Sequence, residues 1–203
     1  MELGIASISA VGAVTAAVIH RSNPGCLSKV VSCGKVKHLR GVVIPSKSGK
    51  TTLLNSLNEQ STKYHFVDVE AESKSFLDSK IGPSILEYKQ KGDWNSLGHL
   101  LLQHVPDWIN TLKTVRNKKL VLLCSSLELA DACGCNLIYV LCPSKQLSNE
   151  ILQKLEDEQD KKQFVNSVEK LYRETDPKSV NVYNNWGELT NLFKSVFNVQ
   201  LKY

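Results

Sequence analysis

Apolar residues fall along this chain in two kinds of run. Short, nearly unbroken ones occur at Val42-Val43-Ile44, at Leu120 to Cys124 and at Leu137 to Cys142. Such runs read as strands covered on both faces, as in a parallel sheet. Tyr64 to Val69, aromatic and β-branched, and Val180 to Tyr183 add two more strands, and the first begins at Arg40. Between them the apolar period changes. Leu97, Leu100, Leu101, Val105, Trp108, Ile109 and Leu112 recur at helical spacing, which predicts a long amphipathic helix over Trp94 to Val115, interrupted near Pro106. Further helices are predicted from Gly49 to about Glu59, over Ser84 to Lys91 with Gly92 as the stop, over Glu128 to Cys133 closed by Gly134, and over Trp186 to Phe197. Leu147 to Thr175 is highly charged and reads as one or two helices, whereas Glu72 to Ser79 is polar without a clear period. Strands alternating with helices imply an α/β fold of three layers, a mostly parallel sheet flanked by helices.

The beginning of the chain breaks this pattern. Leu3 to Ile19 carries no charge and is rich in small residues; Ala6, Ala10, Ala13 and Ala17 repeat at helical spacing. The stretch is marginal for spanning a bilayer, and Glu2 before it has the wrong sign for a secretory signal. Two readings stand: a membrane-contacting anchor, or a helix packed on the domain or on another subunit. Residues 22–39 read as a basic linker broken at Pro24-Gly25. The organisation expected is therefore 1–21, an apolar helix; 22–39, a linker; and 40–203, one α/β domain.

Composition narrows the function classes only modestly. The 203 residues carry a formal net charge of +5, with lysines spread along the chain rather than blocked together. That suits phosphate ligands without giving a nucleic-acid footprint. The six cysteines are Cys26, Cys33, Cys124, Cys133, Cys135 and Cys142. Cys133-Gly134-Cys135 is too tightly spaced for a structural zinc knuckle. They read as reduced thiols, hence an intracellular, cytoplasmic protein with membrane association through residues 3–19 left open. His99 and His104 are five apart, wrong for a metal pair on one helix face.

The chemistry concentrates after the first strand, in Ile44-Pro45-Ser46-Lys47-Ser48-Gly49-Lys50-Thr51-Thr52. Strand, tight turn, Gly-Lys-Thr and helix together build a phosphate cradle: loop amides and a helix N-terminus face the anion, Lys50 reaches the β- and γ-phosphates, and the Thr51 hydroxyl ligates Mg²⁺. Pro45, Ser46, Lys47, Ser48, Gly49, Lys50, Thr51 and Thr52 are thus the nucleotide-binding candidates. The pattern G-x-x-x-x-G-K-[ST] would have its first Gly at Ile44. Ile resists a positive φ, so the loop must leave the strand extended, as a residue before Pro45 prefers. The bland alternative is an ordinary turn with Ser48 capping the helix. Strand two ends in Asp68-Val69-Glu70. A period of two would set both carboxylates on one face at the carboxyl edge of the sheet, one to hold Mg²⁺ and the other to take a proton from an acceptor.

Gly-Lys-Thr-Thr after a strand resembles the P-loop kinase group, which holds nucleotide, nucleoside and shikimate-type kinases, and Asp68-Val69-Glu70 is similar to that group's D-x-D pair. The resemblance implies a three-layer P-loop fold that uses ATP (or GTP) with Mg²⁺, with Lys50, Asp68 and Glu70 catalytic, Thr51 and Asp68 at the metal, and a small-molecule acceptor. It also implies that Ile138 to Ser144 leads into a mobile lid. The lid's usual arginines are missing: Leu147 to Glu169 offers Lys154, Lys161 and Lys162, with Arg173 beyond them. Cys124-Ser125-Ser126 stands where a shikimate-type kinase has a Gly-rich turn. The expectation is an ATP-binding phosphotransferase; the alternative is a P-loop NTPase or nucleotide-binding module tethered to a membrane or assembly, with catalysis either kept or degenerate.

Overall fold

The computed structural model describes residues 39–112 and 118–197; the apolar segment 3–19 and nearly all of the linker lie outside them. Among these residues five strands form one sheet: β1 (Arg40–Val43), β2 (Tyr64–Asp68), β3 (Lys119–Cys124), β4 (Leu137–Pro143) and β5 (Val180–Tyr183). Their order is β2-β3-β1-β4-β5 and every pairing is parallel. Val43 sits between Cys124 and Val140, so the hydrophobic run of β1 is central.

Parallel neighbours need crossovers, and right-handed crossovers fix which face each helix covers. From β1 the chain moves toward β2, placing α1 (Lys50–Gln60) on one face. It then returns, and α2 (Val69–Lys91), α3 (Trp94–Thr111), α4 (Leu127–Ala132), α5 (Lys145–Lys154) and α6 (Glu158–Glu174) follow before β5. Leu53 and Leu57 of α1 pack with Val42, Ile44, Phe66 and Leu123, together with Leu189, Phe193 and Phe197 of α7 (Trp186–Phe197). Alternate strand residues Val43, Val67, Leu122, Cys124 and Val140 turn the other way, onto Leu77, Val105, Trp108, Ala130 and Leu171. Leu147 of α5 belongs to the α1 side. This is the three-layer α/β fold that the apolar runs imply.

On the α1 side, Tyr64, Phe66, Tyr139, Phe193 and Phe197 form an aromatic cluster. Phe197 meets Tyr64, Phe66 and Tyr139 edge-on at centroid distances of 5.3–5.6 Å, the geometry that ring quadrupoles favour. On the opposite face Gly41 lets α4 and the turn after it approach, since a Cβ there would stand 3.0 Å from Cys135 Sγ and 3.5 Å from Ala130 Cβ. Cys124, Cys133, Cys135 and Cys142 are buried free thiols. The neighbouring Cys133 and Cys135 thiols, with burial, hold the Cys124 thiol far above its ordinary range. Burial pushes that of Cys142 up to about 11.

Three local expectations need correction. Residues Glu72 to Ser79 are helical: α2 runs from Val69 to Lys91, kinked at Ile81 just before Pro83. Its polar composition hid it because only Val69, Ser73, Leu77 and Ile85 are buried, a narrow stripe. Pro106 does not interrupt α3, which continues to Thr111 on its buried face of Leu97, Val105 and Trp108. The third concerns Glu70 and belongs to the site.

Candidate functional site

In a parallel sheet of this kind ligands sit at the carboxyl edge, where neighbouring crossovers leave in opposite directions. Here that point lies between β1, whose helix covers one face, and β3, whose helix covers the other. A cleft of about 490 Å³ opens there, lined by Ser46, Lys47, Gly49, Lys50, Thr51, Asp68, Glu70, Ala71 and Gln163.

The loop after β1 is shaped by three residues. Ile44 continues the strand, donating its N–H to the Cys124 carbonyl (2.9 Å), with its side chain fully buried. Its φ is not positive; Lys47 is the sole non-glycine at positive φ among the described residues, at 63°. A side chain therefore fills the core where the pattern has Gly. Pro45 to Ser48 closes as a turn, the Ser48 N–H donating to the Pro45 carbonyl (3.3 Å). Gly49 then enters α1 in the left-handed region (φ 76°) as its N-cap, with no side-chain cap bond. The Ser48 capping alternative is not realised; Ser48 is buried beside the Tyr183 phenol, whose ionisation burial pushes up. The amides of Lys50, Thr51 and Thr52 have no acceptor within the helix, since Leu53 is the first to bond back, to Gly49 (3.1 Å). Lys50 is only 6% exposed, and its Nζ lies 3.0 Å from Glu70 Oε2.

The carboxylates reach the cleft by another route than strand alternation. β2 ends at Asp68, which caps α2: its Oδ1 accepts from the amides of Glu70 (3.1 Å) and Ala71 (3.3 Å). Glu70 therefore lies in the first turn of a helix, not on a strand, and shares the cleft with Asp68 because one turn brings it back. Burial raises the Asp68 carboxyl above its ordinary range; the nearby Lys50 charge and the two amide bonds oppose this, and the Glu70 charge adds to it. Glu72 is raised likewise by burial and by Asp68. The Ser125 hydroxyl, just past β3, donates to Glu70 Oε1 at 2.7 Å.

The charged stretch after β4 is two helices, and α6 comes over the loop. Lys47 Nζ meets Asp160 Oδ1 at 2.9 Å, and Gln163 lines the cleft. Arg173 is exposed in the last turn of α6 and lines neither cleft. A second cleft, about 310 Å³, lies on the far side of the loop against Lys47, Ser48, Gly49, Ile151, Asn184 and Trp186. Trp186 is 45% exposed and lies over the loop: a Cβ on Gly49 would stand 2.3 Å from its Cη2.

The structure thus gathers Ser46, Lys47, Gly49, Lys50, Thr51, Asp68 and Glu70 into one cleft and puts Ser48 in its neighbour. Pro45 and Thr52 line neither; Pro45 supplies the turn acceptor and Thr52 is exposed in the first turn of α1. Ser125, Asp160, Gln163 and Trp186 were not legible as site residues. Ser125 alone left a trace, as a polar residue directly after a buried strand. Among the described residues no group of three or more His, Cys, Asp or Glu side chains is placed to hold a metal ion, and no helix is long and apolar enough to cross a membrane.

No family model matches the chain, and no curated protein matches it in sequence. Among solved structures it is similar to a shikimate kinase from Acinetobacter baumannii in complex with shikimate, at 16% identity over 81% of this chain and 96% of that one, TM-score 0.48. It is also similar to a sugar kinase from Janibacter sp. HTCC2649 (14% identity, 80% and 95% covered, TM-score 0.41). A gluconokinase from Sinorhizobium meliloti 1021 gives 12% identity, 79% and 96% covered, and a TM-score of 0.38.

Proposed function

We propose that the chain is an ATP-binding (or GTP-binding), Mg²⁺-dependent phosphotransferase that passes the γ-phosphoryl group to a small-molecule hydroxyl or phosphate acceptor. One observation carries this reading. The uncapped N-terminus of α1, the buried ammonium of Lys50 and the carboxylate of Asp68 converge on a single cleft at the switch point of the sheet. Unpaired amides and a buried cation favour a multiply charged anion.

Lys50 would neutralise charge on the transferred group, and the loop amides would hold the phosphates in line. The donor set fits a magnesium ion held jointly rather than by protein alone: the Thr51 hydroxyl and Asp68 offer oxygen ligands on one cleft, and phosphate and water supply the rest. Bound there, Mg²⁺ would offset the charge of the phosphate oxygens. Asp68 Oδ2 takes neither of the two cap bonds, so Asp68 can orient the acceptor or the metal while its Oδ1 stays fixed to α2. Glu70 stands on the same side to accept a proton from an acceptor hydroxyl. The second cleft, with Asn184 and Trp186 at its wall, is the proposed seat of the nucleoside.

A P-loop NTPase or binding module is the second reading. What favours it is that α6 brings Asp160 and Gln163 to the loop where phosphoryl transfer calls for a cationic clamp. Binding of ATP·Mg²⁺ to wild type and to Lys50→Met, by calorimetry, tests the cradle. Losing a charged hydrogen-bond donor predicts a drop of at least about tenfold in affinity in a folded variant. Equal affinity would refute the cradle. Phosphate release without transfer to any acceptor would favour the second reading over the first.

A further inference from the structure

The buried ammonium of Lys50 is not waiting free for a phosphate. Glu70 Oε2 holds it at 3.0 Å, and Ser125 Oγ holds the other oxygen of the same carboxylate at 2.7 Å. Ser125 comes from the end of β3 and Glu70 from the first turn of α2, so two separate elements present this carboxylate to the loop. The other cation on the cleft is also engaged, Lys47 with Asp160. An anion entering the cradle thus meets a cation that already has a partner.

Resting on the proposed phosphate cradle, we infer that Glu70, positioned by Ser125, is a built-in competitor for Lys50 that sets the affinity threshold a phosphate must exceed to occupy the site. Any phosphate that takes the ammonium must first break the Lys50–Glu70 pair and bring its own charge near the released carboxylate. A single orthophosphate has only one phosphoryl group's oxygens to share between the cation and the loop amides. A linear polyphosphate also spans the unpaired amides of Lys50, Thr51 and Thr52, and these added bonds offset the loss of the pair. The site is thereby reserved for polyphosphate chains, and free orthophosphate stays below useful affinity. Glu70 is then a threshold-setting residue for anion entry as well as the proposed proton acceptor, and Ser125 is a positioning residue. When a polyphosphate takes Lys50, Ser125 still holds the freed carboxylate on the acceptor side of the cleft.

The test needs neither acceptor nor metal. Dissociation constants for inorganic tripolyphosphate and for orthophosphate are measured by calorimetry with wild type, Glu70→Gln, Ser125→Ala and Lys50→Met. Glu70→Gln keeps the shape of a partly exposed side chain and should tighten both anions by about three- to tenfold, since the same partly desolvated pair is removed in each case. That gain brings orthophosphate into the measurable range. Ser125→Ala should shift both constants in the same direction by a smaller factor, and Glu70→Gln combined with Lys50→Met should lose the gain. Tripolyphosphate binding by wild type that is unchanged or weakened in Glu70→Gln overturns the competitor role and leaves the cradle standing. Absence of tripolyphosphate binding in wild type and variants alike overturns the cradle, and this inference with it. An unmoved Ser125→Ala beside a tightened Glu70→Gln removes Ser125 from the arrangement.

Discussion

Substituting Gly49 by Ala separates two physical costs that meet at one Cα. The first is conformational: Gly49 sits at φ 76°, where an L side chain crowds its own carbonyl, at a cost of about 1–2 kcal/mol. The second is steric. The new methyl would stand 2.3 Å from Trp186 Cη2 and 2.7 Å from Cζ2, so the indole must leave its seat on the loop. Trp186 is nearly half exposed and begins α7, so it can swing outward, losing only part of the roughly 2 kcal/mol that burying a large apolar side chain provides. The two together give about 2–3 kcal/mol, or about 5–10 °C in melting temperature for a domain of this size. Urea unfolding of wild type, Gly49→Ala, Trp186→Ala and the double variant resolves them. In the Trp186→Ala background the added cost of Gly49→Ala should fall to the conformational part alone. A Gly49→Ala protein as stable as wild type would refute the left-handed cap. An undiminished cost in the Trp186→Ala background would refute the indole contact.

Two further outcomes follow from the packing and the electrostatics. Phe197→Ala removes the ring that joins Tyr64, Phe66 and Tyr139; a loss of about 3–5 kcal/mol is expected by chemical denaturation, and a loss under about 1 kcal/mol would mean α7 is not seated as described. Asp68→Asn keeps the α2 cap, because the amide oxygen still accepts from Glu70 and Ala71. It removes a carboxyl whose folded-state pKa is raised, mainly by burial. Such a group stabilises the fold most below the ordinary carboxylate pKa of 3.8 and loses that contribution as pH rises toward its raised value. Asp68→Asn should therefore gain stability relative to wild type on going from about pH 4 to pH 6, and lose phosphoryl transfer at every pH. A stability difference that runs the other way with pH would contradict the burial of Asp68.

The loop was legible because its chemistry is local. Lys47 to Thr52 are contiguous, and the backbone that presents Lys50 and Thr51 is set by Pro45, by Gly49 and by the helix that follows. Ile44 was legible too: a bulky residue that disfavours positive φ had to be extended, and it is buried and strand-bonded. Glu70 was misplaced because Asp68 ends the strand by capping a helix, and no apolar period announced that helix. The turn of α2 in which Glu70 sits is stabilised by the Asp68 side chain and by packing at Val69, Ser73 and Leu77.

The chain's residues by themselves determined the five strands, most of the helices, the parallel character of the sheet and the Gly-Lys-Thr turn that joins β1 to α1. Each of these follows from periodicity or from neighbours a few residues apart. Only the tertiary structure decided that Ser125 reaches Glu70, that Glu70 reaches Lys50, that Asp160 comes over Lys47 and that Trp186 covers Gly49. Those contacts join segments 20 to 137 positions apart, brought together by strand order and crossover hand. Burial against a shared core sets that order, and no local stretch of sequence contains it.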